Sequence, residues 1–77
     1  MSGVDELLER VRERRSLPSA RERRKIRLEA GLSLRDVGAA LGVSHTAVRG
    51  WERGAVPRDQ KAAYGDLLAE LRRMTAA

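Results

Sequence analysis

The segment from Ser33 to Gly54 constrains this chain more than any other. It holds Ser33, Gly42, Ser44 and Gly54 in that order, two serines placed to open helices and two glycines placed to close them. A serine ahead of a helix offers its side-chain oxygen to a free amide of the first turn, and a glycine behind it accepts the left-handed conformation that ends the helix. Helices are therefore expected from Leu34 to Leu41 and from about His45 to Arg53. Gly42 supplies the positive φ of the turn between them, and Val43 packs behind it. Val37, Leu41, Val48 and Trp51 face inward, and the small Gly38 stands where the two backbones must come close.

The flanking segments carry the same 3.6-residue period. Val4, Leu7, Leu8 and Val11 recur at i, i+3, i+4 and i+7, with acids in the first turn and arginines later, which predicts an amphipathic helix from about Val4 to Arg15. Leu17-Pro18 breaks it. Ser19-Ala20-Arg21-Glu22 reads as a capping box that opens a second helix running through Ala30, with Ile26 and Ala30 as its core positions and Gly31 left-handed beyond its end. After Pro57, the stripe Tyr64, Leu67, Leu68 and Leu71 predicts a last helix from about Arg58 to Arg73. No segment alternates with period two. The expected architecture is all-α with five helices: residues 1–17 form an N-terminal amphipathic helix, and residues 18–77 form the domain proper. The first helix is expected to cover its stripe by docking on Leu17 and Leu28 of the same chain. Leu68, Leu71 and Met74 of the last helix are the other candidate surface for a second copy.

With 77 residues there is room for one domain, whose core is only just large enough to hold without a metal, a disulfide or a partner. The chain has no cysteine, which removes thiolate zinc sites and cysteine nucleophiles. No apolar run reaches membrane-spanning length and no signal-peptide pattern opens the chain, so a cytoplasmic, nucleoid-associated protein is expected. The net charge of +5 is unevenly placed: residues 1–17 and 59–77 are each neutral, residues 18–31 carry +3 and residues 32–58 carry +2. A fixed positive region on a small domain favours a polyanionic partner, because each neutralised phosphate releases counterions. Arginine outnumbers lysine fourteen to two, which with the many alanines suggests a GC-rich bacterial or phage genome.

The run SLRDVGAALGVSHTAVRGWERG, residues 33–54, resembles the helix-turn-helix of lambda-repressor-like (XRE/Cro-type) regulators through Val37, Gly38, Leu41, Gly42, Val43-Ser44, Val48 and Trp51-Glu52-Arg53-Gly54. With the preceding RKIRLEAGLS and the last helix, the resemblance covers roughly residues 18–73. It implies that the helix from His45 reads bases in the major groove with His45 and Thr46, and again one turn later with Arg49. A guanidinium can donate two bonds to guanine O6 and N7, so Arg49 is the strongest candidate. The resemblance also implies a partly buried salt bridge between Arg27 and Glu52, and backbone grip by Arg53, Arg58 and Lys61, which are blind to sequence. Ser44 is better read as a cap than as a nucleophile, although the amides it opens can bind phosphate. The position where the family often has a phosphate-clamping Gln is Leu34 here, so that contact is either lost or moved to Arg35. Gly50 lies inside the reading helix and removes a side chain that often touches a base.

A sequence-specific transcriptional regulator is the reading these residues support, more specifically a repressor that binds a palindromic operator as a homodimer. It would have no cofactor, metal or small-molecule substrate, no ligand-sensing domain and no enzymatic activity, since neither a paired-carboxylate site nor a nucleophile-base set is present. His45, the only histidine, lacks the convergent partners of a metal ligand or general base. The alternatives are an adapter or antitoxin-like module that grips a partner protein with its terminal helices, and a sequence-blind architectural protein.

Overall fold

The serine caps decide where the central helices begin. In the computed structural model, which describes residues 3–8 and 17–76, Ser33 Oγ accepts from the Asp36 amide at 3.0 Å while the Asp36 carboxylate accepts from the Ser33 amide at 2.8 Å. This is a complete capping box, and the two bonds hold the Asp36 carboxyl below its usual range. At Ser19, by contrast, only half of the expected box forms: Ser19 Oγ accepts from the Glu22 amide, but the Glu22 carboxylate turns away to Arg72 of the last helix. Ser44 Oγ accepts from the Ala47 amide at 3.1 Å.

Residues 3–8 are helical (α1), followed by α2 (Ala20–Glu29), α3 (Leu34–Leu41), α4 (His45–Trp51), a 3-10 turn (Arg58–Gln60) and α5 (Lys61–Thr75). The fold is all-helical, with no strand among the described residues. Gly31 and Gly42 both take φ of 71°, closing α2 and α3 in the left-handed conformation their sequence positions require. Gly54 does not, because α4 ends earlier than expected, at Trp51 and not Arg53, and ends without a left-handed residue. The last helix also begins later than expected, since Pro57 leads into a single 3-10 turn before α-geometry starts at Lys61.

Ile26, Val37, Val48, Trp51, Val56, Tyr64 and Leu68 form the core, with Leu17, Leu32, Leu34, Leu41, Val43, Leu67 and Leu71 packed around it. Trp51 and Tyr64 meet with ring centroids 5.1 Å apart at a tilt of 47°. α3 packs on α4, and α2 packs on α5. Leu68 is 2 % exposed inside this core, so it is not available to a second copy. The docking expected for the first helix is also absent over the described residues. Val4, Leu7 and Leu8 are 63, 58 and 48 % exposed, and Leu28 is 51 % exposed. Residues 9–16, including Val11 and the expected helix end at Arg15, lie outside the described residues.

Candidate nucleic-acid interface

α4 turns Val48 and Trp51 into the core and leaves His45, Thr46, Arg49 and Gly50 exposed. What fixes this direction is the close passage of α3. A Cβ added at Gly38 would lie 2.6 Å from the Val43 carbonyl oxygen, so no larger residue fits without moving the turn. The Val43 amide donates to the Gly38 carbonyl at 2.8 Å, tying the turn back to α3 at the same point.

Two arginines of α2 anchor the other end of α4. Arg23 is 7 % exposed and has no carboxylate partner among the described residues. Its Nε and Nη2 donate to the Trp51 carbonyl at 3.2 and 2.8 Å, Nη2 also to the Gly54 carbonyl at 2.7 Å, and Nη1 to the Pro18 carbonyl at 2.6 Å. A buried cation is tolerated when its donors are bonded, and the carbonyls beyond a helix C-terminus carry the partial negative charge that suits it. These bonds satisfy the last carbonyl of α4, which has no donor within its own helix. One helical turn on, Arg27 Nε and Nη2 donate to the two Glu52 oxygens at 2.6 and 3.0 Å, and Nη1 donates to the Leu32 carbonyl at 2.9 Å. The pair is shielded, with side chains 10 and 5 % exposed. Its hydrogen bonds raise the Arg27 guanidinium above its ordinary range against the opposing effect of burial.

Beneath Trp51, burial pushes the Tyr64 phenol above its usual value, and the Glu52 charge adds to this while Arg23 and Arg27 oppose it. Tyr64 Oη has no hydrogen-bond partner among the described residues.

Arg27, Arg49, Glu52 and Arg53 come together on the wall of one groove of about 600 Å³ that runs from α2 to the end of α4, joined there by Arg21 and Arg24. Arg35, Arg58 and Lys61 do not line it. Arg35 and Arg58 are exposed, and Lys61 is half-buried at the start of α5. The Ser44 oxygen is engaged in its cap, and Leu34 packs against the core. Arg21, Arg23 and Arg24 were not among the sequence candidates. The signal for Arg23 was present, because positions 23, 26, 27 and 30 repeat the i, i+3, i+4, i+7 period with two arginines in the apolar stripe.

A family profile described as helix-turn-helix matches residues 24–63, from the second turn of α2 into the first turn of α5. No curated protein and no solved structure matches the chain.

Proposed function

Because this chain belongs to the lambda-repressor-like (XRE-type) helix-turn-helix family, we propose that it is a sequence-specific transcriptional regulator that lays α4 in the major groove of duplex DNA. Members are DNA-binding regulators, and that much follows from membership. The observation that carries the finer reading is the division of α4 itself: Val48 and Trp51 are held inside while His45, Thr46 and Arg49 are exposed on a helix braced at both ends. Arg49 is assigned to a guanine edge, and His45 and Thr46 to the bases at the helix start. Arg35, Arg53, Arg58, Lys61 and the backbone amides opened by the Ser44 cap are assigned to backbone phosphates, which set register without carrying sequence. The regulator acts as a repressor, binding as a homodimer to two half-sites about one helical turn, ~34 Å, apart. No described helix is long and apolar enough to cross a membrane.

In vitro selection of random duplexes by the purified protein tests the whole reading, with enrichment of a pseudo-palindrome as the expected result. Arg49→Ala should relax preference at one position of the enriched site. Arg58→Ala should weaken binding to every sequence and lower the slope of log affinity against log salt by about one. Equal binding to random and selected duplexes would leave an architectural protein. DNA affinity unmoved by Arg49→Ala and Lys61→Ala, with a protein partner co-purifying, would leave an adapter.

A further inference from the structure

We propose that Arg21 and Arg24 of α2, with Arg53 beyond α4, form a second phosphate-binding surface that extends the DNA footprint past the helix-turn-helix. The inference rests on the DNA-binding reading and adds to its Arg53 contact two residues, Arg21 and Arg24, which that reading does not contain. Arg21 precedes the segment matched by the family profile, and Arg24 is its first residue.

Charge accounting in the groove carries the proposal. Arg21, Arg24, Arg49 and Arg53 line it, all four are exposed, and none is in an ion pair among the described residues. Elsewhere on α2 and α5, Lys25 pairs with Glu29, Arg72 with Glu22, and Arg73 with Glu70, whereas Lys61 and Asp66 of α5 are in no ion pair among the described residues. The only carboxylate on the groove wall among the described residues is Glu52, and both of its oxygens are taken by Arg27. Four guanidinium groups thus face one volume whose lining offers, among the described residues, no unpaired carboxylate. Like charges gathered in a low-dielectric concavity raise the local concentration of anions. The groove, at about 600 Å³, exceeds what one phosphate needs and suits a chain of them.

DNA is favoured over an acidic protein segment because the groove is continuous with the base-reading helix. Arg49, assigned to a base edge, and Arg53, assigned to a phosphate, stand on the same wall as Arg21 and Arg24. A duplex seated on α4 therefore brings its backbone to the mouth of the groove. Guanidinium groups also match phosphate oxygens in planar, two-bond geometry better than ammonium groups do, and the cluster is entirely arginine.

The test measures affinity for the selected duplex across a salt series with the full chain, comparing wild type with Arg21→Gln/Arg24→Gln. A control, Arg72→Gln/Arg73→Gln, removes the same charge from a different cavity, the one lined by Pro18, Ile26 and Leu68. The expected result is a fall of about two in salt slope for the α2 pair, with an unchanged selected sequence, an unchanged melting temperature and little effect in the control. An unchanged slope in a protein that still selects its site would overturn the second surface and leave the DNA-binding reading standing. An equal fall in the control would reduce the effect to net charge and overturn it too. Tight binding of a polyglutamate peptide that the α2 substitutions abolish, with the DNA slope untouched, would make the groove a protein-docking surface instead. Failure of wild type to select any duplex would count against the DNA-binding reading itself.

Discussion

Taking away the Glu52 carboxylate leaves the Arg27 guanidinium shielded and without its counter-ion, and that is costlier than losing an exposed pair. Exposed ion pairs contribute ~0–1 kcal/mol, whereas breaking a buried one costs ~3–5 kcal/mol. Glu52→Ala should therefore lower the thermal midpoint by an amount corresponding to ~3 kcal/mol, and Arg27→Leu/Glu52→Leu should recover much of it. A melting curve unchanged in Glu52→Ala would show the pair to be idle. Tyr64 offers a test by pH. Its phenol is raised in the folded chain, so the folded state keeps a proton that the unfolded state releases near pH ~10. Stability from this group is full below that value and declines as pH rises through it toward the folded value. Urea unfolding at stepped alkaline pH should show a decline that Tyr64→Phe flattens, and identical pH profiles would refute the assignment. Tyr64 is the only tyrosine, which keeps the comparison clean. At this scale the sequence was only partly readable. The Arg27 to Glu52 contact came from family resemblance alone, since nothing in the spacing of two charges 25 residues apart distinguishes partners from strangers. Arg23 went unseen because its charge argued for the surface, although its helical phase argued for the core.

Among the helices, two glycines that look alike in sequence behave oppositely in space. Gly50 sits inside α4 with no atom within 4 Å of an added Cβ, whereas at Gly38 the same Cβ meets the Val43 carbonyl at 2.6 Å. Glycine costs a helix interior ~1 kcal/mol relative to alanine, so Gly50→Ala should raise the melting temperature by the equivalent of about that much. Gly38→Ala gains the same propensity but forces α3 and the turn apart, and overpacking of this kind costs ~1–3 kcal/mol. Its melting temperature should fall, and a rise in both variants would mean that the turn yields easily. Because α4 would be re-aimed, Gly38→Ala should also weaken selection of the operator. Helix starts and left-handed stops at Gly31 and Gly42 were readable from single residues, because caps are local chemistry. The end of α4 was not, and its last carbonyl is satisfied by Arg23 from 28 residues away, a partner that no local signal names. Likewise the Ser19 box lost its Glu22 arm to Arg72, 50 residues along the chain.

Across the whole molecule, the all-helical class and most of the core followed from periodicity, but the distribution of charge did not translate directly into surface. Of the five basic residues in 18–31, Arg23 and Arg27 are buried as braces, and only Arg21, Arg24 and Lys25 face solvent. Positive segments in a sequence thus overstate the field available to DNA, and only the fold separates structural guanidinium groups from binding ones. The same distinction between core and periphery applies to α1, whose exposed Val4, Leu7 and Leu8 are not part of the buried core. Deleting residues 1–8 should change unfolding free energy by no more than ~0.5 kcal/mol, as expected for groups outside the packed core. Denaturation at low protein concentration checks this, and a larger loss would return α1 to the core of its own chain. If the exposed stripe instead meets a second copy, the full-length midpoint should climb with protein concentration while that of the shortened chain stays fixed, because association stabilises only the species that contains the interface. Binding to a single half-site should then be equal for the two chains, and only the paired site should distinguish them.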